Sequence, residues 1–165
     1  MQQSVLHTCL IENIRDIYDA EKQLTKAIPR LAKAASSEEL AQALNKHLKE
    51  TENQVDRIEE VFKLLQVPAR GKTCKGMKGL IEEGSEALSE HDEGLQRDLA
   101  IIAAAQRVEH YEISAYGTAR ALAEQLDQTE VAKLLHQTMK EESTADSKLT
   151  ECAMSLYDTQ GAIQN

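Results

Sequence analysis

From Leu99 to Leu126 apolar residues recur at steps of three and four, and an acidic side chain, Glu109, stands in the middle of the row. The row runs Leu99, Ile102, Gln106, Glu109, then Glu112 or Ile113, Tyr116, Ala119, Ala123 and Leu126. Such steps place side chains on one stripe of an α-helix. An ionised carboxylate in an apolar interior is costly unless it is paired, protonated or bound to a metal. Glu109, with Glu112 one turn on, therefore limits the folds open to this chain to those that bring partners to the middle of this helix.

Three more helical seams repeat the pattern. The first, within a helix expected over about 5–35, is Leu10, Ile14, Ile17, Glu21, Leu24, Ile28, Leu31 and Ala35, with Pro29 expected to kink it or reshape its last turns. The second, over about 37–66, is Leu40, Leu44, His47, Glu50 or Thr51, Gln54, Ile58, Val61 and Leu65. Ser36 with Glu39 reads as its capping box, and Val67-Pro68 ends it. The seam already described fills a third helix over about 95–126. The fourth, over about 129–157, is Val131, Leu135, Thr138 or Met139, Glu142, Ala145 or Asp146, Leu149, Ala153 and Leu156. Asp127 with Glu130 reads as a cap before it, and the tail after Tyr157 as frayed. Each helix is then about 30 residues, or about 45 Å, long.

Residues 67–94 break the long pattern with five glycines, although Met77, Leu80, Ile81, Ala87 and Leu88 suit a short helix. A segment of this length is no tight turn. It serves as a crossover, so the expected fold is all-α: an antiparallel four-helix bundle, in one domain over 1–165, with a short extra helix between its second and third long helices.

Composition agrees with this reading. The 165 residues suffice for one core, and with four Tyr, one Phe and no Trp that core must be aliphatic. A formal charge of −9 argues against nucleic acid or an anionic membrane as partner. Cys9, Cys74 and Cys152 are far apart and form no CxxC, which excludes a zinc ribbon or a rubredoxin-type iron site. Free thiols, read here as small apolar residues, and the lack of a signal peptide or of an 18-residue apolar run predict a cytoplasmic protein.

In an antiparallel bundle, mid-helix positions share a level. Glu21, Glu50, Glu109 and Glu142 then face one another, with Glu112 as a fifth carboxylate. Di-metal carboxylate bundles take one Glu from each of two helices and Glu-x-x-His from each of the other two. Glu21 and Glu109 match the single glutamates, but Asn53 follows Glu50 by three and Ala145 follows Glu142 by three. Gln54 and Asp146, each four residues on, are further candidate ligands, as is His47, one turn before Glu50. His47 reads equally as a hydrogen-bonded core histidine. Tyr18 and Tyr116 are candidate donors to the carboxylates, with plain bundle packing as the alternative. His110 points about 100° away from Glu109 and belongs to the surface or a helix interface.

Asp16 to Leu24, His47 to Gln54, Val108 to Ile113 with Tyr116-Gly117, Glu141-Glu142 with Asp146 and Leu149-Thr150, and Gly79 to Glu83 together carry a resemblance. The chain resembles the YciE/YciF family of ferritin-like bacterial stress proteins over nearly its whole length. Glu109-His110-Tyr111-Glu112 is more distantly similar to the Glu-x-x-Glu of rubrerythrins. The resemblance implies a ferritin-like bundle, a homodimer, and a di-iron centre on Glu21, Glu50, Glu109, Glu112 and Glu142. Oxygen ligands favour iron, with manganese as the alternative. The expected activity is reduction of O₂ or hydrogen peroxide by two iron ions, fed by a separate electron-donor protein. A non-enzymatic dimeric stress or interaction module, with a structural or vestigial metal site, is the alternative.

Overall fold

Residues 4 to 163 of the computed structural model are described, and they form five helices and no strand. These are α1 (Val5–Ala34), α2 (Glu38–Leu64), α3 (Lys75–Glu90), α4 (Leu95–Gln125) and α5 (Thr129–Ile163). The four long helices close a ring in which α1 touches α2 and α4, and α5 touches α2 and α4. Short turns make α1–α2 and α4–α5 antiparallel pairs. The crossover through α3 returns the chain to the end where α1 stops, and α3 lies against α1 and α4. The result is the four-helix bundle with a crossover expected from the seams, in the ferritin-like form that the resemblance implies.

Capping sets where each helix starts. The Ser4 hydroxyl accepts from His7 N at 3.2 Å to open α1. Ser37, not Ser36, caps α2, accepting from Leu40 N at 3.3 Å. The Ser36 hydroxyl is used elsewhere: it accepts from Gly94 N at 2.9 Å, at the start of α4. Buried Asp98 completes this corner by accepting from both Ser36 N and Ser37 N at 2.8 Å. A carboxylate in the first turn of α4 thus satisfies two donors of the α1–α2 turn and also faces its own helix's positive end.

The C-termini of α2 and α4 close in the same manner. Gln66 and Asp127 have φ of 56° and 55°. Val67 N donates to Phe62 O and Gln66 N to Lys63 O; Gln128 N donates to Ala123 O and Asp127 N to Glu124 O. Each set is a Schellman closure around a left-handed residue. Asp127, expected to cap α5, is therefore the closing residue of α4; a short polar side chain tolerates that conformation. Pro29 does not end α1, which continues to Ala34. The helix α5 runs on past Tyr157 to Ile163 instead of fraying there. The break signal in that stretch is Gly161, and one helical glycine costs only about 1 kcal/mol.

The N-terminus of α3 is pinned by a polar cluster. The Cys74 sulfur caps α3, accepting from Met77 N at 3.4 Å, and lies 3.0 Å from Tyr111 Oη and 3.2 Å from Asp16 Oδ2. Tyr111 Oη also donates to Asp16 at 3.1 Å. A Cβ on Gly76 would sit 2.8 Å from the Tyr111 ring, so only glycine lets α3 begin this close. Cys74 and Cys152 are both buried in the apolar core, and Cys74 in addition caps α3 and hydrogen-bonds.

Candidate metal centre

The seams place one layer of polar side chains across the middle of the bundle. Glu21 from α1, His47, Thr51 and Gln54 from α2, Glu109 and Glu112 from α4, and Thr138 and Glu142 from α5 are all buried. Within it, His47, Glu109, Glu112 and Glu142 each offer a donor atom, and these atoms lie within 4.8 Å of one another. His47 Nε2 is 3.2 Å from Glu109 Oε1 and 3.7 Å from Glu142 Oε2, yet neither ring nitrogen makes a hydrogen bond. One oxygen each of Glu21, Glu109 and Glu142 and both oxygens of Glu112 are likewise buried without a partner. Buried polar atoms are normally satisfied. So many orphaned donors and acceptors converging on one point suit a cation, and the group can hold a metal ion.

The electrostatics agree. Burial, followed by repulsion from Glu142, pushes Glu21 up to about 8. Burial first, and then the neighbouring carboxylates, also push Glu109 and Glu112 well above the ordinary range. Like charges this close, out of water, hold protons unless a cation replaces them.

Two buried groups orient the cluster's edges. Tyr116 Oη donates to Glu21 Oε1 at 2.5 Å. The Gln54 amide donates to Glu142, and to Glu141 Oε2 at 3.1 Å. Arg57 grips Glu141 through two bonds of 2.8 and 2.9 Å and donates to Thr138 at 2.6 Å. Burial raises Glu141, but the bonds from Arg57, Gln54 and Gln137 outweigh it and leave the carboxyl below its usual value.

Of the candidates read from the seams, Glu109, Glu112, Glu142 and His47 meet in one group. Glu21 stands beside it, joined to Tyr116. Glu50 sits at the rim, partly exposed, 3.3 Å from Lys46 and 3.7 Å from His47 Nδ1. The His47 imidazole lowers its carboxyl, against partial burial, and Lys46 adds to the effect. Gln54 is inside as a hydrogen-bond donor. Asp146 is turned away: it pairs with His110 at 3.2 Å and accepts from Gln106 at 3.1 Å. Tyr18 is also elsewhere, donating to Glu59 at 2.8 Å with its ring edge-on to Phe62. The seams named Thr51 and Thr138 only as alternative positions and did not include Glu141 or Arg57. Arg57 lies beside the α2 seam, next to Ile58.

Two narrow cavities, each about 30 Å³, end at His47 and Glu109. One lies between α2 and α5, with Lys46, Glu50, Thr144 and Lys148 along it. The other lies between α1, α2, α3 and α4 and is mainly aliphatic, with Arg30, Ser85, His47 and Glu109 also lining it.

A ring of four long helices with one crossover, and a buried layer of carboxylates and a histidine at mid-height, defines a ferritin-like bundle able to hold metal. Residues 5–162 match the family described as "Domain of unknown function (DUF892)", and the chain belongs to that family. It is 44% identical over 155 residues to protein YciF of Escherichia coli K12, covering 93% of each chain. The crystal structure of the E. coli stress protein YciF superposes with a TM-score of 0.90 at 43% identity, over 96% of this chain and 99% of that one. YcfI of Rhodopseudomonas palustris gives a TM-score of 0.87 at 40% identity, over 90% and 95%. A protein from Xanthomonas campestris, at 17% identity and a TM-score of 0.72 over 96% and 98%, shows the shared fold. Among the described residues, no helix is long and apolar enough to cross a membrane.

Proposed function

We propose that this protein is a di-iron carboxylate protein of the stress response that reduces O₂ or hydrogen peroxide. One observation carries the reading: the donor atoms of His47, Glu109, Glu112 and Glu142 converge within 4.8 Å, in the buried centre of the bundle. Glu21, beside Glu112, and Glu50, beside His47, adjoin that group. A set rich in carboxylate oxygens with one imidazole suits iron, and manganese next. The stress role is taken from the likeness to E. coli YciF.

Bound iron would supply two electrons, enough to take one hydrogen peroxide and two protons to two waters. The protein's part is to hold, orient and charge-balance. Glu109 and Glu112, protonated while no cation is near, release protons as they become ligands. Gln54 fixes the Glu142 carboxylate, and Tyr116 fixes that of Glu21. Arg57, by holding Glu141, keeps a positive charge near the layer without entering it. Glu50, at the rim with Lys46, is placed to shift as ions pass. The electrons are returned by a separate donor protein. A homodimer in the cytoplasm completes the proposal, with the resemblance and the three free cysteines as its support.

A second reading has its own observation. Tyr116 to Glu21 and Gln54 to Glu142 are internal bonds that satisfy one oxygen of each carboxylate without a cation. They suit a non-enzymatic module whose layer is a proton-sharing network.

Anaerobic Fe(II) titration of metal-stripped protein separates the two. About two ions per chain, lost in Glu50→Gln and in Glu109→Gln, is the expected result. A folded protein with no saturable binding would sink the di-iron reading in favour of the network.

A further inference from the structure

The two cavities that reach His47 and Glu109 differ in chemistry. The slot between α2 and α5 carries Lys46, Glu50 and Lys148, which suit ions, water and other polar species. The cavity under α3 is walled by Leu24 and Ile28 of α1, Leu80 of α3, and Ala104 and Val108 of α4. At its outer end exposed Arg30 donates to Ser85 Oγ at 2.9 Å, tying α1 to α3. Beyond that pair, its polar lining is His47 and Glu109, at the inner end.

A space of about 30 Å³ exceeds the roughly 10–15 Å³ that one water needs. Along the aliphatic walls water finds no hydrogen bonds, so it is held only at the inner end, by His47 and Glu109, and the apolar stretch suits a small apolar guest. A large substrate does not fit. An uncharged diatomic molecule does, and its way in ends on two residues of the metal group. From the size, the aliphatic walls and the inner end on His47 and Glu109, we infer that this cavity under α3 is the binding and entry site for dioxygen, while ions and peroxide use the polar slot. The inference rests on the di-iron reading and separates the routes of its two oxidants: dioxygen has a dedicated apolar route. It also gives α3 a task beyond crossing the bundle, since Leu80, Ile81 and Gly84 form the cavity's roof.

Xenon serves as the probe, because it is apolar, monatomic and visible in a crystal. Under pressure, metal-stripped protein is expected to hold one xenon between Ile28 and Val108. A Cβ on Gly84 lies 3.7 Å from Ala104 Cβ, so Gly84→Leu grows into the cavity and should abolish the site. Leu80→Ala widens it and should raise the occupancy, which keeps the test alive if Gly84→Leu fails to fold. In Fe(II)-loaded protein, Gly84→Leu should slow oxidation by dissolved O₂ about tenfold or more. Oxidation by hydrogen peroxide and the iron stoichiometry should stay unchanged.

No xenon in the cavity of a protein that still binds Fe(II) overturns this inference alone. Wild-type rates with O₂ in a filled variant also overturn it. Xenon in a protein that binds no Fe(II) removes the di-iron reading, and with it dioxygen as the guest.

Discussion

Above and below the carboxylate layer, the bundle is filled in one way; at the layer, it is filled in another. One apolar cluster, around Leu24, Ile28, Leu40, Met77, Ile101 and Leu149, occupies the end covered by α3. A second, around Leu10, Ile14, Ile58, Phe62, Val131 and Leu135, occupies the opposite end. The polar layer separates them. In the clusters, each side chain gains by leaving water. In the layer, Glu21, Glu109 and Glu112 lose hydration and meet one another's charge. A chain selected for stability alone would run leucine through those positions. The contrast says that the ends hold the bundle together and the middle is kept for something it binds.

The largest expected effect comes from the ends. Leu40 and Leu135 are fully buried, one in each cluster. Leu40→Ala and Leu135→Ala should each cost about 2–5 kcal/mol of unfolding free energy in urea. Fe(II) stoichiometry at saturation should not change. If either variant lost metal at unchanged fold, the ends and the layer would be one unit and not two.

Next in size is the pH dependence of metal-free protein. Glu21 in the folded state sits near 8, above its unfolded value of about 4.5, and Glu109 and Glu112 shift the same way. Between those values the folded state holds more protons than the unfolded state, so stability falls as pH rises. From pH 5 to pH 8 the loss should be on the order of 3 kcal/mol. Glu50 and Glu141 are shifted down, so their contribution is present above the unfolded carboxylate value and is lost as pH falls below it. Metal-free protein should therefore be most stable near pH 5, measured as Tm across buffers. Saturating metal should remove the alkaline fall, because a cation replaces the protons. A flat profile without metal would contradict the buried, unbalanced layer.

A smaller change, of opposite sign to the leucine variants, is expected at the layer itself. Glu109→Gln and Glu112→Gln keep the shape and remove a carboxyl that is driven well above its ordinary range. At pH 8 each should stabilise metal-free protein by on the order of 1–3 kcal/mol and flatten the alkaline fall. Calorimetry of stripped protein measures the gain, and titration should show metal binding lost in the same variants. Destabilisation together with unchanged metal binding would return both residues to the structural network.

The contrast between ends and layer also explains what the sequence made legible. Apolar steps of three and four run through all four long helices, so the bundle was readable from them. Glu21, Glu109 and Glu142 stood out because each interrupts such a row. Partners across helices were not readable. Asp146 follows Glu142 by four just as Gln54 follows Glu50, yet one turns out to His110 and Gln106 while the other turns in to Glu142. Successive residues rotate by about 100°, so a row stepping by three or four leaves its edge positions undecided until neighbouring helices pack. The same holds at the α1–α2 turn, where Ser36 and Ser37 both suit a cap. Only the approach of Gly94 and Asp98 assigns Ser36 to α4 and Ser37 to α2.

The smallest effect sharpens the boundary of the layer through two tyrosines. Tyr116 and Tyr18 are both buried, and each donates to a glutamate, but the glutamates differ. Tyr116→Phe removes the donor to Glu21, whose other oxygen already lacks a partner. The loss should be about 1–3 kcal/mol. Because the Tyr116 bond lowers Glu21, its removal should move the alkaline fall in stability to higher pH. Tyr18→Phe removes a bond to Glu59 and keeps the ring against Phe62, so it should cost no more than about 1 kcal/mol. It should leave both the pH profile and Fe(II) affinity where they were. Parallel titrations of the two variants check this. If Tyr18→Phe weakened metal binding or moved the pH profile, the layer would extend through α1 to the Glu59 side, and the apolar end beside it would belong to the site.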